Sequence, residues 1–441
     1  MSVDSKKWIN LFPIYIITGY LILVIVRVPS IFLEGRFWGE EGTAFFSDAY
    51  FDNTLSTLFT PRYGYYGFLQ RISAFLAVKV PLEYSPIVTV SISLLIQLLP
   101  VILLLYSRIP NMSHSKIKQT MGILLVLFII PNHEIWLNTI NSRFYLLVCT
   151  GIILISTPTN KVVKILRYGI LLISGLSGIA AVFLTPLFWL RWWYQKTKSN
   201  MIESSILSTC AVLQGLIVLM SITIGGNRAL AVYPDLWPYI IVIKQIVLPF
   251  TGIEYAENCS LYLRPFIGTN TIRYTAIALS FYGLMGFFFV KYRQKESMYL
   301  LIAGIISTFI SLIGAIENFE YSTMMVHATG MGAGRYYYAP NVFFSLAILI
   351  FISFTEFRKR IISTIMSILL VWLVIVGANE YFRKKHCPWL HFGPNWKTEV
   401  HLFHNNPDYK LEIWPRPWRI SLNKKRVSMQ KDNFVINKNE L

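Results

Sequence analysis

Three carboxylates fall within the stretch "RFWGEEGTAFFSDAY", Arg36–Tyr50: Glu40, Glu41 and Asp48, set among aromatic residues. A carboxylate beside Trp38 and Phe45, partly removed from water, has its pKa raised. Such a group suits a general base that must take a proton from a sugar hydroxyl. Glu40 and Glu41 are adjacent, so on an irregular loop one can face a cavity while the other anchors the chain. The competing reading is a solvated acidic loop, because an acid pair alone is a weak signal.

Two further stretches carry groups of the same kind. "PNHEIWLNTINSRFY", 131–145, is dense in polar side chains: Asn132, His133, Glu134, Asn138, Asn141 and Arg143. Helix-end capping and solvation compete evenly with a binding role there. "HATGMGAGRYYYAP", 327–340, has glycines at 330, 332 and 334 that let backbone approach a ligand, followed by Arg335. An arginine at a helix mouth can clamp a phosphate bidentately, and Tyr336 and Tyr337 offer stacking faces. Arg62 and Arg71, which flank "YGYYGFLQ" with its Tyr65, are similar candidates. Against these stands the snorkelling arginine within an interfacial aromatic belt.

The elements that must position these groups are membrane helices. The hydrophobic share is 54%, the charged share 14% and the mean hydropathy +0.52. Soluble domains carry roughly 25% charged residues, and apolar runs of about 17–20 residues recur here at bilayer-spanning length. The class expected is all-α and polytopic. In a soluble protein the net charge of +18 would suggest nucleic acid. Here much of it lies in short loops between apolar runs, where it sets orientation, and nucleic acid is not expected as a partner. Lys6 and Lys7 precede the run Leu11–Val28, which has no cleavage pattern after it, so it reads as a retained helix with a cytoplasmic N-terminus.

Basic triplets recur at Arg108/Lys116/Lys118, Lys161/Lys164/Arg167, Arg191/Lys196/Lys198, Lys291/Arg293/Lys295 and Arg358/Lys359/Arg360. Read as cytoplasmic loops, they place helices at about 11–29, 86–106, 119–131, 142–157, 202–224, 271–290, 298–315, 340–354 and 361–378. The run 168–190 lies between two inside loops, so it must enter and return, with "SGLSG" at 174–178 as the bend. Counting that short-helix hairpin as two gives about eleven membrane helices. The outer side then receives 30–85, 132–141, 225–270, 316–339 and the tail from 379, although the tail carries twelve Lys/Arg. The apolar spacing of "NTLSTLF", "GFLQRISAFLAVKV" and "YPDLWPYIIVIKQIVLPF" suits helices lying along the interface. The expected division is a membrane domain 1–378, an outer segment 379–425 and a disordered tail 426–441. Cys149 and Cys210 read as packing residues; Cys259 and Cys387 share the outer side and could pair.

These motifs resemble the GT-C class of integral-membrane glycosyltransferases, whose signature is an acidic motif in the first outer loop, here "WGEEG". More closely, the chain resembles a bacterial group of membrane proteins of this type. The likeness rests on "WGEEG", "SDAY", "TPRYGYYGFLQRISAFLA", "PNHEIWLNTINSRFY", "GLSGIAAVFLTPLFWL", "GRYYYAP" and "LEIWPRPW". Two departures are Glu41, where the group has Asp, and Arg62, where it has Tyr.

The resemblance implies an undecaprenyl-phosphate sugar as donor, a cell-surface glycan such as O-antigen as acceptor, and a site on the outer face of a bacterial inner membrane. Glu40 or Glu41 would deprotonate the acceptor hydroxyl, with Asp48 a third choice. Attack with inversion would then expel the prenyl phosphate, whose charge Arg335 would stabilise with help from Arg62 or Arg71. Tyr65, His133, Glu134, Asn138, Tyr336 and Tyr337 would line the substrate site. A divalent cation, Mg or Mn, stays open. A lipid-linked oligosaccharide flippase and a repeat-unit polymerase are the alternatives; the long first outer loop and outer tail favour the transferase.

Overall fold

The computed structural model describes residues 11–52, 54–223, 233–314, 325–327, 329, 332–353 and 360–423. Gly330, Arg358, Lys359 and the tail 426–441 lie outside the described residues. The described residues are mostly helical, with two antiparallel strand pairs of two residues each among them, Ser107–Arg108 with Thr157–Pro158 and Leu411–Glu412 with Arg419–Ile420.

Among the described residues five helices are long and apolar enough to cross a membrane: Leu82–Tyr106, Lys198–Ser221, Thr271–Lys291, Lys295–Ile313 and Arg360–Phe382. Phe12–Arg27, Lys116–Phe128, Arg143–Ile155 and Arg335–Phe351 are shorter and sit where apolar runs led them to be expected. The run 168–190 does break: Lys161–Leu176 is one helix, and Ala181–Leu184 leads through a 3-10 turn into Thr185–Gln195.

Arg143–Ile155 and Arg335–Phe351 are buried along nearly their whole length and form the middle of the molecule. They meet closely because Gly151 leaves room for the Phe343 ring, which a Cβ would approach to 2.2 Å. Helix Ser85–Tyr106 turns Ser85, Thr89, Ser93 and Gln97 inward at a spacing of four and leaves Leu95 outside. Small polar groups inward and apolar groups outward is the arrangement lipid favours, because lipid offers no hydrogen bonds.

Loops gather at two ends. At one, the 107–108 and 157–158 strands pair, Asn111 reaches Gln294, and Lys118 Nζ donates to the Ile352 carbonyl. At the other, the first long loop meets 132–142, the start of Arg335–Phe351 and the C-terminal segment.

Three expectations are corrected. Arg167 and Arg191 are not solvated loop charges: both are buried and hold Glu203, which has no exposed side chain. Helix Phe68–Ala77 buries Leu69, Gln70, Arg71, Ser73, Ala74 and Ala77, and Trp237–Thr251 buries Tyr239 through Gln245, so both pack into the protein. Cys259 and Cys387 are free thiols, as are Cys149 and Cys210.

The C-terminal segment forms a clasp over the first loop. Helix Trp396–Asn405 and the 411–420 strand pair place Trp396, Val400, Leu411, Ile413 and Ile420 against Phe37 and Phe46. Backbone bonds close it: Trp414 N donates to Phe37 O at 3.1 Å and Gly39 N to Trp414 O at 2.6 Å. Glu399 braces the clasp by accepting from the Tyr409 hydroxyl and the Glu412 amide, both at 2.8 Å.

Candidate functional site

The two adjacent glutamates part company at the start of a π-helical turn, Glu41–Phe46, of which Glu40 is the N-cap. Glu41 points inward and is 2% exposed. Its carboxylate accepts from Trp38 N at 3.0 Å, from Thr139 N at 2.7 Å and from the Thr139 hydroxyl. Burial pushes its pKa up, while the Thr139 and Trp38 hydrogen bonds and the Arg36 charge act against that. Glu41 therefore ties the first loop to the 132–142 loop.

Glu40 stays partly exposed, and its carboxylate has no hydrogen-bond or ion-pair partner among the described residues. Its charge acts on Arg335, as does that of Glu134. Arg335 Nη1 bonds Glu134 Oε2 at 2.9 Å, and the guanidinium lies over the Tyr336 ring, 4.9 Å from its centre. A third of the Arg335 side chain remains exposed. Glu134 and the first residue of helix Arg335–Phe351 thus pair directly, and the charge of Glu40 reaches the same guanidinium. Tyr336 stacks on His327 with ring centres 5.5 Å apart. His327 is buried, and burial together with the Lys244 and Arg335 charges lowers its pKa to about 3, so the ring is neutral.

The other candidates are engaged in structure. Asp48 accepts from Arg62 Nη1 at 2.9 and 3.0 Å and from Arg71 Nη1 at 2.9 Å. Arg71 also donates through Nε to Thr60 O at 3.0 Å. Both arginines hold the third acid at the foot of the loop, with Arg71 Nη2 left buried without a hydrogen bond among the described residues. Tyr65 pairs backbone to backbone with Arg62, and its hydroxyl accepts from Arg143 Nη1 at 2.7 Å. His133 is buried with Nε2 3.3 Å from the Glu380 carbonyl, which ties it to helix Arg360–Phe382. Asn138 donates to Glu134 O at 2.8 Å and accepts from Asn141 N at 2.9 Å, so it shapes its own loop. Tyr337 has no exposed surface, and its hydroxyl lies 3.4 Å from His327 Nδ1. Successive residues on a helix turn about 100° apart, so three consecutive tyrosines cannot all face one ligand.

Four residues that the sequence did not single out complete the arrangement. Thr139 holds Glu41. Arg36 is 1% exposed, donates Nη2 to Trp136 O at 2.6 Å, and lies about 5 Å from the ring centres of Trp38, Trp136 and Trp414. Trp414 closes the clasp. Lys244 is fully buried in the second π-helical turn, Val242–Val247, with Nζ 2.6 Å from Gly332 O, just ahead of Arg335. Each π-helical turn among the described residues thus carries one buried ionisable group, a setting typical of functional positions. A lone lysine in "YIIVIKQIV" was the available signal, since ionisable groups in apolar runs are rarely idle. Among the described residues no group of three or more His, Cys, Asp or Glu gathers in a way that would hold a metal ion.

No family model matches the chain, and neither a curated protein nor a solved structure is similar to it.

Proposed function

We propose that the chain is a membrane-embedded glycosyltransferase that moves a sugar from a polyprenyl-phosphate donor to a cell-surface glycan at the outer face of a bacterial cytoplasmic membrane. One observation carries this reading: Glu40 is a partly exposed carboxylate with no hydrogen-bond or ion-pair partner among the described residues, and its charge acts on an arginine that is itself held by a second acid, Glu134. Glu40 is the base that takes the proton of the attacking acceptor hydroxyl. The hydroxyl oxygen bonds to the anomeric carbon as the bond from that carbon to the phosphate oxygen breaks, with inversion. Arg335 receives the charge that develops on the departing prenyl phosphate. Glu134 fixes the guanidinium, and Lys244 fixes the 332–334 turn in front of it, so both are positioning residues. Glu41 anchors the loop. The likeness of "WGEEG" and "GRYYYAP" to the GT-C pattern supports the same assignment.

The test is sugar transfer in membranes supplied with prenyl-phosphate sugar and acceptor glycan. Glu40→Gln should abolish transfer while leaving the protein folded, and Arg335→Ala should mainly weaken use of the donor. Full transfer by a folded Glu40→Gln protein would remove the base. Donor dependence unchanged in Arg335→Ala would take the arginine out of the site. Lipid-linked glycan carried across the membrane without any transfer would identify a flippase instead.

A further inference from the structure

A pocket of about 250 Å³ lies between the short helix Ser30–Glu34 and the clasp, and neither Glu40 nor Arg335 lines it. It is lined by Glu34, Gly35, His391, Phe392, Trp414 and Arg416, among others. At about 30 Å³ per water it holds the volume of roughly eight waters, which suits a single ring-sized ligand and is below the usual range for larger organic ligands.

The lining selects among such ligands. Glu34 is a half-buried carboxylate with no hydrogen-bond or ion-pair partner among the described residues. Arg416 is exposed and spends Nε on Glu412 at 3.3 Å, which leaves its two terminal nitrogens free to donate. His391 is held neutral because burial, aided by Arg27, Lys384 and Arg36, lowers its pKa to about 4, so it offers one donor and one acceptor. Phe392 is 68% exposed and presents an open aromatic face. One acid and one base at the lining cancel in charge, so neither an anion nor a cation is favoured. Donors, acceptors and an aromatic face around a ring-sized space match a neutral polyol, whose C–H faces stack while its hydroxyls pair.

The pocket is also joined to the acidic loop. The Trp414 ring is set by Gly393, where a Cβ would come within 2.1 Å of it, and its other neighbour is the Arg36 guanidinium. The backbone of the same tryptophan bonds Phe37 and Gly39, directly before Glu40. We infer that this pocket is a saccharide subsite that holds one neutral sugar unit of the acceptor glycan. The word acceptor rests on the transferase reading above; the binding of a neutral sugar does not.

Binding is measured directly on the full chain in detergent micelles by saturation-transfer NMR. The probes are galactose, glucose, rhamnose and N-acetylglucosamine, with inorganic phosphate, glucose 1-phosphate and phosphoethanolamine as charged competitors. At least one neutral sugar should bind, and Phe392→Ala should weaken it about tenfold, the scale of a lost aromatic contact. Glu34→Gln and Arg416→Gln, both at accessible positions, should weaken it as well. Failure of every neutral sugar to bind, binding indifferent to Phe392→Ala and Glu34→Gln, or a preference for any charged probe would overturn the subsite. Sugar binding that depends on the pocket in a protein without transfer activity would sink the transferase and keep the subsite. Transfer without pocket-dependent binding would do the reverse.

Discussion

Glu40→Gln and Glu41→Gln should fail in different ways, although the residues are neighbours with the same side chain. Glu41 accepts three hydrogen bonds in a buried site, and a glutamine there turns an amide donor toward groups that already donate. A loss of about 1–3 kcal/mol of stability follows, read as a lowered melting temperature in detergent. At Glu40 the same change should leave stability within about 0.5 kcal/mol and cut transfer by about 10²–10⁴-fold. A melting temperature that falls for Glu40→Gln and holds for Glu41→Gln would reverse the roles. The pair was legible in "WGEEG", but its division of labour was not, because that depends on Thr139, nearly a hundred residues away. A second residue-scale effect concerns His391. The folded chain titrates it near pH 4 and the unfolded chain near 6.5, so in that window the unfolded state binds the extra proton. Its contribution to stability is therefore lost as pH falls from 6.5 to 4. His391→Asn should flatten the fall in melting temperature over that range; an unchanged slope would contradict the depressed pKa.

Among the elements, the helices were legible because run length and spacing are local properties. The hairpin bend at Ser177 followed from "SGLSG" for the same reason. The partners of Arg167 and Arg191 were not legible, since charge counting treats every basic residue as solvated. In the structure Arg167 Nε bonds Glu203 Oε1 at 2.9 Å, and Arg191 bonds the other oxygen and the Ile153 and Leu154 carbonyls. One carboxylate on Lys198–Thr223 thereby pins the two limbs of the hairpin to the end of Arg143–Ile155. Glu203→Gln leaves two guanidiniums buried against half a partner and should cost about 3–5 kcal/mol. Replacing all three together (Arg167→Met, Arg191→Met and Glu203→Leu) should cost less than Glu203→Gln alone, because no uncompensated charge remains. Denaturant or thermal melts of the two variants decide it, and a triple variant that melts lower would show that the ion cluster itself stabilises the fold.

For the molecule as a whole, the clasp puts the first loop and the C-terminal segment on one side. The order of apolar runs and basic loops predicts that shared side, but no local pattern announces the contact itself, since Trp38 and Trp414 lie far apart in the chain. Single cysteines at exposed positions report it: Ser56→Cys and Arg416→Cys should react with an impermeant maleimide from the same side, and Lys196→Cys from the other. Cys149, Cys210 and Cys387 are buried, so a Cys259→Ser background keeps labelling specific. Reaction of positions 56 and 416 from opposite sides would refute the clasp.

The clasp also orders events in time. Ribosomes deliver the acidic loop well before the segment that pins it, so the loop must wait for Trp414 while every helix in between is made. A chain that stops short of Trp396 would have its long apolar helices and Glu40, Glu41 and Glu134, yet Phe37, Phe46 and Gly39 would lack the clasp that closes on them. The clasp thus serves as a late check on synthesis, and a copy that lacks it would leave the acidic loop uncovered.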